Sequence, residues 1–165
     1  MYDFTADASL GPAERYRQLC DAADALTADE PDAVANMANI AALLWEFVPN
    51  LNWAGFYRVG KSKNGGEELV LGPFVGRPAC IRIPFDAGVC GAAAATGETQ
   101  LVEDVHAFPG HITCDAASRS ELVVPILRNG RVIAVIDLDS PEPARFTRED
   151  AAGIEKLAAL LSARI

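Results

Sequence analysis

The chain has 165 residues, half of them hydrophobic and 22% charged, which is ordinary globular composition. Its formal net charge of -9 argues against a nucleic-acid surface and against a polybasic membrane patch, because both depend on clustered Lys and Arg. We recognise neither a signal peptide nor an apolar run long enough to span a membrane. We therefore expect a cytoplasmic protein with a single domain over residues 1–165, in which permanent disulfides are rare.

Two helices are predicted first. In residues 11–29 apolar side chains recur at helical spacing, and Cys20 lies on that stripe as a small buried hydrophobe. In residues 32–49, Asp32 provides an N-cap and Pro49 ends the helix. The predicted buried face of this second helix comprises Val34, Met37, Ile40, Ala41, Leu44 and Trp45.

Short strands and one helix are predicted in the middle of the chain. The aromatic segment 52–60 and the segment 68–75 read as strands joined by a polar loop that contains a Gly pair. Further predicted elements are a strand at 79–85, an Ala-rich helix ended by Gly97, a strand at 100–105 and an irregular or briefly helical loop at 106–120.

The C-terminal part predicts a hairpin and a final helix. Two apolar runs within 121–140 flank Asn129-Gly130, which favours a two-residue turn. Thr147 caps the last helix, and Asp150 stands in the third position after it, as in a capping box. The stripe expected to be buried is Ile154, Leu157, Leu160 and Leu161. The order of elements predicts an α+β domain with helices packed on an antiparallel sheet.

Three of the four cysteines, Cys80, Cys90 and Cys114, lie close together in the sequence. No C-x-x-C knuckle typical of zinc sites is present, although Cys80 and Cys114 could still converge with His106 or His111. Cys90 opens a predicted helix, whose N-terminus lowers a thiol pKa. Redox chemistry needs one thiol that attacks and one that resolves the product. Redox chemistry and inert packing both remain open on this spacing.

Acidic and aromatic pairs mark the strands. Asp137 and Asp139 are two residues apart on a strand, so they face the same side of the sheet. Glu121 lies opposite about position 138 of the hairpin and can approach them, which favours a raised carboxyl pKa and a general acid. Trp53 and Tyr57 also share a face. They form either core aromatics or the wall of a small-ligand pocket. For Asp137 and Asp139, the alternative is that they lie where the strand ends in solvent.

Taken together, the segments "NWAGFY", "LVLGPF", "ACIRIPF", "GVCG", "LVEDVHAFPGHITCDAASRSE" and "VIDLDS" resemble the free methionine-(R)-sulfoxide reductases, which are built on a GAF domain. The resemblance runs from about residue 34 to the C-terminus. It implies a GAF-like fold with a six-stranded antiparallel sheet flanked by helices, usually in a homodimer. It implies reduction of free L-methionine-(R)-sulfoxide to methionine, without a metal or an organic cofactor and with thioredoxin as the reductant.

The same resemblance assigns roles to residues. Its redox positions fall on Cys80, Cys90 and Cys114, with Cys114 expected to attack and Cys80 to resolve the sulfenic acid as a disulfide. Its acidic pocket falls on Glu121, Asp137 and Asp139, and its aromatic wall on Trp53 and Tyr57. Cys90 is an alternative attacking or relay thiol.

Two other functions compete with this interpretation. A sensory GAF module would bind a small ligand without chemistry and would be expected to carry an output domain, which we do not recognise in the sequence. A cysteine-based metal site would hold stoichiometric zinc and would make the fold sensitive to chelators.

Overall fold

The computed structural model describes residues 4–5, 9–110 and 115–165. In chain order its elements are α1 (Pro12–Thr27), α2 (Ala33–Phe47), β1 (Trp53–Lys61), β2 (Glu67–Gly76), β3 (Arg82–Pro84), α3 (Gly88–Thr96), β4 (Gln100–Val102), a short 3-10 helix (Val105–Ala107), β5 (Ser120–Arg128), β6 (Arg131–Ser140) and α4 (Arg148–Leu161). The predicted helices and strands are confirmed in kind and in order. Residues 111–114 of the predicted loop lie outside the described residues.

The six strands form one sheet in the order β3-β2-β1-β6-β5-β4, and every pair is antiparallel. The hairpins β1–β2 and β5–β6 meet through β1 and β6 at the centre of this sheet. The predicted α+β fold with a six-stranded antiparallel sheet and flanking helices is therefore confirmed.

The two faces of the sheet bury different side chains. One face packs against α1, α2 and α4, with Phe56, Leu122 and Leu138 fully buried between strands and helices. The other face is covered by α3 and forms a smaller cluster that includes Trp53 and Tyr57. Because side chains alternate along a strand, neighbouring residues of β5 and β6 serve opposite faces.

The local helix signals are confirmed. Asp32 caps α2 by accepting hydrogen bonds from two backbone N–H groups of the first turn. Thr147 and Asp150 form a complete capping box at the start of α4. Gly97 ends α3 with a φ of 69°, in the left-handed region that favours glycine. Cys20 packs against the core from α1 but is only partly buried.

The predicted buried face of α2 is wrong at both ends. Val34 and Trp45 are 52% and 42% exposed. Their places in the core are taken by Asn36, Leu43 and Phe47. Asn36 is buried because its amide donates to two backbone carbonyls, a tertiary contact that apolar periodicity does not reveal. In α4, Leu160 is likewise only partly buried.

The register of the β5–β6 hairpin differs from the prediction by one residue. An irregularity between Ile126 and Leu127 shifts the pairing, so Glu121 lies opposite Asp139 and not opposite Leu138. A one-residue shift changes which side chains share a face. The shift therefore places Glu121 directly beside the aspartates.

Within the described residues, no helix is long and apolar enough to cross a membrane.

Candidate active site

Two rungs that face the same side of the sheet bring the acidic residues together. In the first rung Trp53 of β1 pairs with Asp139 of β6, which pairs with Glu121 of β5. In the next rung on the same face, Gly55 of β1 pairs with Asp137. Glu121 and Asp137 are 7% and 6% exposed, so the interpretation of the aspartates as a solvent-facing strand end is wrong.

Burial and mutual repulsion favour protons on this group of carboxylates. Burial, followed by the charges of Asp137 and Asp139, raises the pKa of Glu121 well above its ordinary value. Burial raises the pKa of Asp137 to about 7, although hydrogen bonds from Cys90 and Glu121 oppose the rise. Burial and the charge of Asp137 also raise the pKa of Asp139. A cluster of this kind holds a proton at neutral pH and can deliver it to a ligand.

Cys90 lies in the first turn of α3 and points into the same group. Its Sγ lies 3.9 Å from Oε1 of Glu121, to which the thiol can donate. Burial, followed by the charges of Asp137 and Glu121, raises the pKa of the Cys90 thiol well above its ordinary value. The expectation that the helix N-terminus lowers this pKa is wrong, because desolvation and the negative neighbours outweigh the helix dipole.

Three stacked aromatic rings form one wall. The ring of Trp53 stacks on Tyr57 with a centroid distance of 5.8 Å and on Phe74 with a distance of 5.2 Å. Gly55 permits this packing, because a Cβ there would lie 2.4 Å from Cβ of Phe74. The Nε1 of Trp53 donates to the backbone oxygen of Arg77 at 3.1 Å, which fixes the ring plane.

The walls enclose a pocket of about 530 Å³ of non-atom space, its mouth included. The pocket is lined by Trp53, Tyr57, Arg77, Pro78, Ala79, Ile83, Ala87, Gly88, Val89, Cys90, Asp115, Ser118, Glu121, Asp137 and Asp139.

A polar contact holds the segment after residue 114 against the sheet. The Nδ2 of Asn52 donates to Oδ2 of Asp115 at 3.2 Å and to Oγ of Ser118 at 3.0 Å. Ser118 in turn hydrogen-bonds Asp139. Sequence reasoning missed Asn52, Asp115 and Ser118, as well as Phe74 and Arg77, because each reaches the pocket through contacts between elements distant in the chain.

The remaining candidates either do not line the pocket or lie outside the described residues. Cys80 is disulfide-bonded, whereas Cys20 and Cys90 have free thiols. Cys114 and His111 are not among the described residues. His106 is exposed, and its ring contacts Asp104 at 3.0 Å.

One group of described residues has the dimensions of a metal site. Ligand atoms of Cys90, Glu121 and Asp137 all lie within 4.8 Å of one another. This group differs from the predicted combination of Cys80, Cys114 and a histidine. A bound metal would require the thiolate of Cys90, and the raised pKa of this thiol opposes its formation.

Comparison with known proteins identifies the family. The model of the GAF domain matches residues 17–165. Free methionine-R-sulfoxide reductase of Escherichia coli strain K12 is 46% identical over 92% of this chain and 89% of its own. Protein YtsP of Bacillus subtilis strain 168 is 51% identical over 89% of both chains. The structure of free methionine-R-sulfoxide reductase from Neisseria meningitidis in complex with its substrate is 45% identical, covers 99% of this chain and 95% of its own, and has a TM-score of 0.92. The chain therefore belongs to the GAF-domain family that includes the free methionine-R-sulfoxide reductases.

Proposed function

We propose that this protein reduces free L-methionine-(R)-sulfoxide to L-methionine by cysteine chemistry and that thioredoxin regenerates it. The observation that carries the proposal is the buried Glu121, whose raised pKa keeps a proton at the floor of a pocket with an aromatic wall. Reducing a sulfoxide requires a proton for the oxygen that leaves sulfur. The reductases similar to this chain add the identity of the substrate.

The proposed first step transfers oxygen to a cysteine. The thiolate of Cys114 attacks the sulfoxide sulfur while Glu121 donates a proton to the sulfoxide oxygen. That oxygen moves to Cys114 as a sulfenic acid, so the cysteine sulfur is oxidised as the substrate sulfur is reduced. Asp137 and Asp139 bind the ammonium group of the substrate, and Trp53 packs against its side chain and methyl group.

The proposed second step restores the enzyme. The thiol of Cys80 attacks the sulfenic acid of Cys114, which forms a disulfide and releases water. The dithiol of thioredoxin then reduces this disulfide and is itself oxidised. The disulfide-bonded state of Cys80 supports its role as the resolving thiol. Cys90 is the less suitable nucleophile, because its raised pKa favours the thiol over the reactive thiolate.

A coupled assay tests the reaction. The purified protein is supplied with thioredoxin, thioredoxin reductase and NADPH, and with the (R) or the (S) epimer of free methionine sulfoxide. We expect NADPH consumption with the (R) epimer only. If a folded, reduced protein consumes NADPH with neither epimer, the enzyme proposal fails and a ligand-binding GAF module takes its place.

Variants separate the thiols and the acid. We expect Cys114→Ser to abolish single-turnover formation of methionine, and Cys20→Ser to serve as the matched control with unchanged activity. Activity that survives in Cys114→Ser would move the attack to Cys90. Glu121→Gln should lower the single-turnover rate about 10²- to 10⁴-fold, the usual contribution of a positioned acid. An unchanged rate would exclude Glu121 as the acid.

The proposal includes a homodimer, for which α2 offers a surface. Val34 and Trp45 are eleven residues apart, close to three full helical turns, so both lie on one exposed stripe of α2. We expect light scattering to give twice the mass of the chain for the wild type. Trp45→Glu should shift the mass toward the monomer if this stripe lies in the interface, whereas Glu46→Gln on the same helix should not.

A further inference from the structure

Arg77 places a cation beside a pocket with three acidic side chains. It follows β2 directly and is the only basic residue among the described residues that line the pocket. Its backbone oxygen accepts the hydrogen bond from Trp53, so its main chain is fixed to the pocket wall. Arg77 is exposed, and within the described part of the chain its guanidinium makes no hydrogen bond or ion pair. Arg77 is therefore available to a ligand.

The sheet determines how far Arg77 stands from the acids. Its neighbour Gly76 occupies the same rung as Trp53 and Asp139, two strands away from Asp139. Adjacent strands are about 4.8 Å apart, so the backbones of Gly76 and Asp139 are separated by about 10 Å. This separation leaves room for a small ligand between Arg77 and the acids.

The pocket also contains an acceptor and donors without partners among the described residues. Oδ1 of Asp137 is buried and has no hydrogen-bond partner within that part of the chain. A ligand that enters the pocket can supply the missing donor. The N–H groups of Val89 and Cys90, in the first turn of α3, also have no acceptor in the described ranges, and both residues line the pocket.

Building on the proposed function, we infer that Arg77 binds the α-carboxylate of free methionine sulfoxide and selects the free amino acid over the peptide-bound residue. The acids take the ammonium group and Arg77 takes the carboxylate, so the two charges of a free amino acid each meet the opposite charge. A peptide-bound methionine sulfoxide has neither charge. It would bring an amide N–H to buried carboxylates and would leave Arg77 unpaired.

The test compares the acid with its methyl ester, which lacks the carboxylate charge. Arg77→Gln should raise KM for free methionine-(R)-sulfoxide about tenfold or more and change kcat less than about threefold, since the contact is equal in ground and transition states. KM for the methyl ester should change less than about twofold, because the ester has no charge for Arg77 to meet. Arg77→Lys should recover part of the loss. Arg131→Gln, an exposed arginine at the β5–β6 turn, is the matched control.

Calorimetric binding of the acid and the ester separates this inference from the proposed function. If the wild type reduces the acid and Arg77→Gln leaves its KM unchanged, or raises both KM values equally, the inference fails and the proposed function stands. If the wild type binds the acid without reducing it, the proposed function fails. In that case, Arg77→Gln would still support the role of Arg77 if it bound the acid more weakly than the wild type and the ester equally well. Equal affinity of wild type and variant for the acid would overturn that role.

Discussion

Replacing Asp137 by Asn should stabilise the fold at alkaline and neutral pH. Asp137 is buried, and Oδ1 of its carboxylate has no partner within the described residues. Its pKa rises from an ordinary value of 3.8 to about 7 on folding. The folded protein therefore binds more protons than the unfolded chain, and the stability associated with that proton is lost as the pH rises from about 4 to about 7. The amide of the Asp137→Asn variant would be neutral at every pH and would escape this loss.

The size of the effect follows from the same values. A rise of about three pH units at about 1.4 kcal/mol each gives a ceiling of about 4 kcal/mol for the gain at pH 8. The gain should fall to less than about 1 kcal/mol at pH 4, because the folded carboxyl is protonated there and pH 4 lies close to the ordinary pKa of 3.8 of the unfolded chain. Repulsion shared with Glu121 will reduce the measured value, because protons redistribute within the cluster.

Urea unfolding at pH 4, 6 and 8 measures this difference directly. Wild type and Asp137→Asn are compared with the same oxidation state of Cys80, and Asp29→Asn is an exposed control that should change stability little at any pH. A gain that is equal at all three pH values would refute the reasoning, because a packing effect of Asn does not titrate. A loss at pH 8 would show that the carboxylate is stabilised by contacts stronger than its desolvation.

Two further predictions concern the helical layer. Asp150→Asn should destabilise the fold by about 1–2 kcal/mol at pH 7, and by less as the pH falls below 4. Burial raises the pKa of Asp150, but the hydrogen bonds from Tyr16 and Thr147 outweigh burial and lower the pKa below its ordinary value. The stabilisation by Asp150 therefore requires its ionised form. Urea unfolding at both pH values checks this, and a pH-independent loss would contradict it. Gly153→Ala should lower stability by about 1–3 kcal/mol, because the new Cβ would lie 2.2 Å from the Tyr16 ring. Thermal unfolding measures the loss, with Lys156→Arg as an exposed control in α4 that keeps the helix propensity. An unchanged midpoint in Gly153→Ala would show that the ring moves freely.

The sequence is sufficient for those parts of the fold that depend on local signals. Asn129-Gly130 predicts the hairpin, and Thr147 with Asp150 predicts the start of α4, because turns and caps involve residues that are close in the chain. The irregularity at Ile126 and Leu127 has no such signal, and it moves the partner of Glu121 by one position. The sequence pattern therefore brings Glu121 to the correct end of the sheet but not to the correct neighbour.

The pocket is predictable in its residue types and less so in its contacts. The pairing of Asp137 with Asp139 on one face follows from strand alternation alone. The hydrogen bonds of Asn52 to Asp115 and Ser118 join segments more than sixty residues apart, so no local sequence pattern predicts them. The protonated state of Cys90 likewise depends on the complete burial of its thiol, which only the packed structure reveals.

Alternation along the central strands makes the chemistry separable from the scaffold. Glu121 and Asp139 face the pocket, whereas their sequence neighbours Leu122 and Leu138 lie in the layer shared with the helices. The odd positions of these strands are thus selected for ligand chemistry, and the even positions are selected for stability of the fold. A combinatorial library confined to the pocket-facing positions should therefore contain many folded members with altered ligand preference, and the same architecture can diverge between catalyst and receptor without rebuilding its core.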